Sequence, residues 1–157
     1  MSITIRVFTA DEMLNLGENL GRLLRGGEVF SLSGPLGAGK TTFVQGVARG
    51  LAVPGIVNSP SFAIIHVHEG RLSLVHCDFY RLESPEELEN IGFDDYLSPE
   101  STVFAEWGRD FLQGVPSGVT TLHIETEGDV RQVHILEVAK GETDLVKEWV
   151  CRWQCSH

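Results

Sequence analysis

The sequence predicts an α/β fold, a three-layer sandwich built on a mixed central sheet. A glycine-rich loop at residues 34–41 stands between a strand-like and a helix-like segment, and such a unit favours parallel strand pairing. Two pairs of alternating segments, within residues 62–79 and 119–138, are each joined by a short polar turn and predict antiparallel hairpins. The length of 157 residues indicates a single domain spanning residues 1–157.

The first two elements are predicted to be a strand and a capped helix. Residues 2–8 alternate apolar and polar side chains, which is typical of a strand. Thr9 and Glu12 have the spacing of a capping box, in which two side chains satisfy free amides at a helix start. Gly26 and Gly27 are predicted to end this helix. Its core-facing side is expected to contain Ala10, Met13, Leu14, Gly17, Leu20 and Leu24.

The middle of the chain continues this alternation of strands and helices. Residues 28–33 form the predicted strand before the glycine-rich loop, and residues 42–48 form the helix after it. The first hairpin pairs residues 62–68 with residues 72–79. Ser84, with Pro85 and two glutamates behind it, predicts another helix start.

The last third is predicted to add three strands and a helix. Residues 101–106 form a compact apolar strand that ends in an acid. Residues 119–126 and 130–138 form the second hairpin. A helix over residues 142–153 places Leu145, Trp149 and Trp153 on one face.

The glycine-rich loop reads GPLGAGKT and fits G-x-x-x-x-G-K-[ST], the phosphate-binding loop, or P-loop, of nucleoside triphosphatases. Its glycines allow a tight curl with inward-pointing amides. In this motif Lys40 is expected to bring a cation to the β- and γ-phosphates, and the Thr41 hydroxyl can bind Mg²⁺. The predicted nucleotide-binding residues of this loop are Gly34, Pro35, Leu36, Gly37, Ala38, Gly39, Lys40, Thr41 and Thr42.

Two acids are candidates for the chemistry beside this loop. Asp78 and Glu106 each stand at the end of an apolar strand, where a triphosphatase needs a carboxylate near the metal. Either could accept a hydrogen bond from a metal-bound water or orient the water that attacks the γ-phosphate. A surface acid at a strand end is the alternative for each. His76, on the same strand face as Asp78, is interpreted as a packed or surface histidine.

Trp107 and the segment NSPSF at residues 58–62 are weaker candidates. Trp107 directly follows Glu106, so it could stack near the nucleotide or simply pack in the core. The NSPSF segment lies where switch segments often sense a γ-phosphate, but hydroxyls around a proline equally suit an ordinary turn.

The composition limits which partners and which cellular location are expected. The formal net charge is −10, which argues against direct nonspecific binding to nucleic acid, because that needs a basic surface. No apolar run is long enough to span a bilayer, and the three cysteines are sparse, so a cytoplasmic protein with reduced thiols is expected.

Five segments together resemble the bacterial TsaE family, also called YjeE. They are GPLGAGKTTF at residues 34–43, NSPSF at 58–62, HCDFYRL at 76–82, SPEEL at 84–88 and FAEW at 104–107, in the family's order and spacing. The similarity extends from about residue 14 to residue 108. H-x-D-x-Y-R-L followed by E-W is much more specific than the P-loop alone.

The resemblance implies a P-loop NTPase-like fold and an ATPase that uses ATP and Mg²⁺, weak alone and stimulated by partners. It implies a role in making threonylcarbamoyladenosine at position 37 of tRNAs. The implied partners are the TsaD and TsaB proteins, whose complex ATP hydrolysis would reset between turnovers. Contact with tRNA would be indirect, through that complex, and neither a membrane nor DNA is an expected partner.

The resemblance also implies residue roles. Lys40, Asp78 and Glu106 match the catalytic set, and Thr41 and Glu106 match the metal ligands. Further implied nucleotide contacts are Phe8, Thr9, Ser61, Trp107 and Arg131. Ser61 departs from the threonine common in the family, which keeps the hydroxyl but loses the methyl group.

Two other functions remain open from the sequence. A small-molecule or nucleoside kinase would share the scaffold, but Arg81 and Arg109 are too few and scattered to suggest an arginine-rich lid. A nucleotide-gated binding module would use ATP only to set the shape of a docking face. A preference for GTP is not expected, since the chain has no N-K-x-D motif.

Overall fold

The computed structural model describes residues 3–55, 64–108 and 111–156. Within these ranges the chain forms seven strands, four α-helices and one 3₁₀ helix. They are β1 (Ile3–Val7), α1 (Ala10–Leu23), β2 (Val29–Ser33), α2 (Lys40–Gly50), β3 (Ile65–Glu69), β4 (Ser73–Asp78), α3 (Pro85–Asn90), a 3₁₀ helix (Phe93–Tyr96), β5 (Ser101–Glu106), β6 (Thr120–Glu127), β7 (Val130–Glu137) and α4 (Thr143–Ser156). Among the described residues, no helix is both long and apolar enough to cross a bilayer.

The seven strands form one mixed sheet in the order β1-β7-β6-β2-β5-β4-β3. The central strands β6, β2, β5 and β4 run parallel to one another. The outer pairs β1–β7, β6–β7 and β3–β4 are antiparallel, and the last two are the predicted hairpins. The predicted α/β sandwich with a mixed sheet is therefore confirmed.

Two apolar cores lie on opposite faces of the sheet. The larger core joins the sheet to α1, α2 and α4. There Phe30 stacks on Phe104 with 4.6 Å between ring centroids, and Trp149 Nε1 donates a hydrogen bond to Leu16 O at 2.9 Å. The smaller core lies beneath α3 and the 3₁₀ helix, where Phe79 and Phe93 meet edge to face. Apolar residues on alternate positions of the same strands supply both cores.

Glycines bring α1 and α2 into backbone contact. A Cβ atom added at Gly17 would lie 2.2 Å from Phe43 O, and one at Gly46 would lie 2.1 Å from Leu14 O. No side chain fits between these backbones, so glycine is required at both positions. Because α2 follows the P-loop directly, this close contact with α1 also fixes where the P-loop lies.

The predicted element boundaries differ from the structure in a few places. Helix α1 ends at Leu23 rather than at the glycines, because Leu24 turns to an extended conformation and its side chain is buried. The predicted face of α1 is wrong at Ala10, which is exposed, and it omits Leu16, which is fully buried. Ser84 makes no side-chain cap, and the Glu87 carboxylate instead accepts from the Glu83 amide at 2.7 Å.

Candidate functional site

The P-loop joins the end of β2 to the start of α2 at the carboxyl edge of the parallel strands. Gly34, Gly37 and Gly39 all have positive φ, at 138°, 79° and 111°, a region that favours glycine. A Cβ atom at Gly34 would also lie 2.2 Å from Ile124 O on β6. Gly34 is thus required by the close passage of a neighbouring strand as well as by the curl of the loop.

The first turn of α2 is open to an anion. Gly39 precedes the helix and has no side chain to cap it, and the first turn from Lys40 onward contains no acid. Amide groups at a helix start lack partners within the helix, and the helix dipole adds partial positive charge there. This arrangement is the usual protein site for a phosphate group.

Lys40 is held by the P-loop itself in this structure. Its side chain is buried, and Nζ donates hydrogen bonds to Gly34 O and, at 3.2 Å, to Pro35 O. Burial lowers the pKa of Lys40 below its ordinary 10.5, while the negative charges of Glu106 and Asp78 oppose that lowering. An ammonium group beside two carboxylates and a free helix end is suited to binding a polyanion that also carries a divalent cation.

Asp78 and Glu106 lie side by side beyond the helix start. They are register partners on the parallel strands β4 and β5, so both side chains reach the same edge of the sheet. Asp78 Oδ1 accepts a hydrogen bond from the Tyr80 amide at 3.0 Å. Both acids line a cavity of about 230 Å³. The other residues of this cavity are Leu36, Gly37, Gly39, Lys40, Thr41, Thr42 and Trp107.

The donor atoms around this cavity fit Mg²⁺. Thr41 offers a hydroxyl oxygen, and Asp78 and Glu106 offer carboxylate oxygens. Magnesium prefers oxygen ligands, one or two of them carboxylates, together with phosphate oxygens and water. The nearby thiol of Cys77 is buried in the smaller core on the other face of the sheet and does not line this cavity.

Glu106 has a buried partner that the sequence analysis did not assign to the site. His76 Nε2 lies 2.7 Å from Glu106 Oε2. Both side chains are buried, His76 completely. The signals in the sequence were the place of His76 in H-x-D-x-Y-R-L and the strand face that it shares with Asp78, and neither shows that His76 reaches across to β5.

Trp107 lies above the lysine of the P-loop. The centre of its ring is 4.5 Å from Lys40 Nζ, and the ring also lies beside Tyr80, with 5.2 Å between ring centroids. Its backbone has a φ of 61°, a left-handed conformation that is uncommon for any residue except glycine. The Trp107 amide donates to Leu32 O at 3.0 Å, which ties this turn to the end of β2. The side chain is half-buried and lines the cavity, so it does not belong to either apolar core.

A second, smaller cavity of about 160 Å³ adjoins the first across the P-loop. The two share Gly37, Gly39 and Thr42. The remaining lining residues are Phe8, Thr9, Ala10, Met13, Ala38, Asp129 and Arg131. The structure therefore brings Phe8, Thr9 and Arg131 together, as their assignment to one ligand requires.

The sequence predicted a second role for Thr9 and no role for Asp129, and both residues line the second cavity. Thr9 also caps α1, since its Oγ1 accepts from the Glu12 amide at 3.0 Å. Asp129 was not predicted, although its position in the hairpin turn beside Arg131 could have suggested it. Ser61 and the rest of the NSPSF segment lie outside the described residues.

A family model and individual relatives match this chain under the same protein name. The family model for "Threonylcarbamoyl adenosine biosynthesis protein TsaE" matches residues 7–134. The tRNA threonylcarbamoyladenosine biosynthesis protein TsaE of Treponema pallidum is 36% identical over 121 residues, which is 77% of this chain and 90% of that protein. The protein of the same name from Streptomyces coelicolor is 39% identical over 132 residues, or 78% and 88%.

A solved structure is similar over nearly the whole chain. It is the crystal structure of YdiB from Bacillus subtilis, which superposes with a TM-score of 0.81 at 27% sequence identity. The match covers 97% of this chain and 96% of that one. The similarity therefore extends beyond the P-loop to the outer strands and helices.

Proposed function

This chain belongs to the TsaE family of tRNA threonylcarbamoyladenosine biosynthesis, and we propose that its part in that process is to bind and hydrolyse ATP with Mg²⁺. The observation that carries the proposal is one cavity at the start of α2 that is lined by Lys40, Asp78 and Glu106 together. Few other ligands need unpaired amides, a lysine and two carboxylates at once.

The triphosphate would lie along the P-loop and the first turn of α2. Its oxygens would accept from the loop amides and from Lys40, in place of the carbonyl groups of Gly34 and Pro35 that hold the ammonium group now. Ionised phosphate is a stronger acceptor than a backbone carbonyl, so this exchange favours binding.

Thr41 and Glu106 would hold the magnesium ion, which supplies positive charge against the charge that develops on the phosphates. Asp78 would then accept a hydrogen bond from the attacking water and orient it. The two acids are held differently, which supports this division. Glu106 is anchored by the side chain of a buried histidine, whereas among the described residues Asp78 accepts only from the backbone amide of the exposed Tyr80.

The nucleoside would occupy the second cavity. Phe8 and Met13 offer apolar contact surface, and Asp129 and Arg131 offer polar groups for the base or the ribose. Thr42 and two glycines border both cavities, so one ligand could reach from the phosphates to the base without leaving the P-loop.

Hydrolysis would serve the other proteins of the process. We assign TsaB and TsaD as partners that stimulate a weak intrinsic ATPase, and hydrolysis would reset their complex between turnovers in the cytoplasm. The net charge of −10 supports contact with tRNA through those partners and not by this chain alone.

The test compares ATP hydrolysis with and without TsaB and TsaD for the wild type, Asp78→Asn and Glu106→Gln. Glu137→Gln is the matched control, because Glu137 is an exposed acid on β7 outside both cavities. We expect stimulation by the partners in the wild type and the control, and a loss of at least about 100-fold in the two site variants.

Two other results would change the proposal. Full-speed hydrolysis by the isolated chain, unchanged by the partners, would contradict a partner-dependent ATPase. Intact tRNA modification by Asp78→Asn, with hydrolysis lost, would instead establish a nucleotide-gated binding module.

A further inference from the structure

The pair formed by His76 and Glu106 joins two neighbouring parallel strands below the floor of the first cavity. The His76 side chain has no exposed surface, and that of Glu106 is 7% exposed. The two side chains meet diagonally, because the register partner of His76 on β5 is Phe104 and Glu106 lies two residues further along. The 2.7 Å contact is short enough for a strong hydrogen bond to an ionised acceptor.

This contact engages one of the two carboxylate oxygens of Glu106. An ionised carboxylate only accepts hydrogen bonds, so towards an ionised Glu106 the His76 Nε2 atom can only be the donor. The contact uses Oε2 and leaves Oε1 as the second acceptor of the group, while Glu106 itself lines the cavity. A glutamate side chain has several rotatable bonds, and holding one oxygen removes most of that freedom before any ligand arrives.

His76 keeps this contact at a cost. Its other ring nitrogen, Nδ1, is buried and has no hydrogen-bond partner among the described residues. Leaving a buried polar atom unpaired costs about 1–3 kcal/mol. An apolar residue in the same place would avoid that cost, so packing alone does not explain a histidine here.

Two further histidines of the sheet contact a glutamate, but that glutamate does not line either cavity. His123 and His134 both contact Glu125, which is half-exposed and lies outside both cavities. Among the described histidines, only His76 bonds to a carboxylate that lines the cavity.

We propose that His76 is a positioning residue that fixes the Glu106 carboxylate for a divalent cation bound together with nucleotide. This inference rests on the proposed role of Glu106 in holding Mg²⁺. Residues that orient a metal ligand in this way typically change metal affinity by about 10–100-fold when they are replaced. His76 does not line either cavity, so it would act only through Glu106.

The test measures binding and not turnover. Calorimetry gives the affinity for the non-hydrolysable analogue AMP-PNP in EDTA and at increasing Mg²⁺, for the wild type, His76→Leu and His76→Gln. Leucine removes the donor, while glutamine keeps an N–H group that can reach Glu106. His134→Leu is the matched control, since it removes another histidine–glutamate contact whose two residues line neither cavity.

We expect all four proteins to bind AMP-PNP equally in EDTA, because the phosphate contacts do not involve His76. The Mg²⁺ concentration for half-maximal enhancement should rise about 10–100-fold in His76→Leu and stay near the wild-type value in His76→Gln and His134→Leu. A folded His76→Leu protein with wild-type Mg²⁺ dependence would overturn the inference.

A second measurement covers the case in which His76→Leu does not fold. In the wild type, the His76 ring N–H proton should give a slowly exchanging low-field NMR signal that shifts when Mg²⁺ joins the AMP-PNP complex. A signal unmoved by Mg²⁺ would overturn the inference. Wild-type protein that binds no AMP-PNP, or binds it without any effect of Mg²⁺, would instead refute the proposed function itself.

Discussion

The indole ring of Trp107 lies over the ammonium group of Lys40, with 4.5 Å between Nζ and the ring centre. A cation at this distance is attracted to the ring face, by about 0.5–2 kcal/mol depending on solvent exposure. The contact links the residue after Glu106 to the lysine that would meet the phosphates. A ligand that draws Lys40 towards its own oxygens must therefore change the surroundings of Trp107.

The first prediction follows from this contact. ATP binding should change the fluorescence of Trp107, because the charge next to its ring is partly neutralised. The two other tryptophans, Trp149 and Trp153, are buried in the larger core and should contribute a constant background. The change should saturate with occupancy and disappear in Trp107→Phe. A full-sized change in that variant would mean that the signal comes from the core instead.

The second prediction concerns pH and Lys40. Its pKa is lowered in the folded protein, so between that lowered value and 10.5 the unfolded chain binds more protons than the native state. The contribution of Lys40 to the free energy of unfolding must therefore rise with pH across this window. Urea denaturation of the wild type and Lys40→Met, from neutral pH to pH 10.5, measures the difference. A difference that stays flat or falls as pH rises would contradict the buried-ammonium explanation.

Much of the fold could be predicted because its signals are local. The strand Ser101–Glu106 has the predicted bounds, since a compact apolar run ends there in an acid. The order of strands in the sheet was not predictable, because it depends on which apolar faces fit one another across the core. The bounds of α1 also differ, since burial of Leu24 determines where that helix ends.

The candidate site, like the fold, could be predicted from the sequence only in part. Lys40, Asp78 and Glu106 could be proposed from the P-loop motif and from strand ends, and the structure brings all three to one cavity. The role of His76 could not, because it depends on a contact between two strands that are distant in sequence. The motif H-x-D-x-Y-R-L contains His76, but it does not show that the ring meets Glu106 until the neighbouring strand is known.

The third prediction tests the contact between α1 and α2. Gly46→Ala places a methyl group where Leu14 O lies 2.1 Å away, and both backbones belong to helices that cannot easily move apart. We expect a loss of about 3 kcal/mol in the free energy of unfolding, measured by urea titration. Gly114→Ala is the control, since a Cβ atom there meets nothing within 4 Å. Equal stability of the two variants would show that the helices separate freely.

The fourth prediction concerns the three cysteines. Cys77 is buried, and that burial, with a smaller effect from the charge of Asp78, raises the pKa of its thiol. Cys151 and Cys155 are exposed on α4. Ellman's reagent should therefore modify two thiols in the native protein and a third only on unfolding, because the thiolate is the reactive form. Rapid modification of a third thiol without denaturant would show that the smaller core opens readily.

The fifth prediction separates the two cavities. Arg131 lines only the second cavity, so Arg131→Ala should weaken ATP binding about tenfold and leave the binding of inorganic tripolyphosphate unchanged. Lys40→Met should weaken the binding of both ligands, because Lys40 lines the cavity in which the phosphates of either ligand would bind. Calorimetry with each ligand measures the two affinities for both variants.

The tripolyphosphate titration serves as the internal control, since that ligand has no base or ribose to reach Arg131. Equal losses for ATP and tripolyphosphate in Arg131→Ala would assign Arg131 to the phosphates, and no loss for either would remove Arg131 from nucleotide binding.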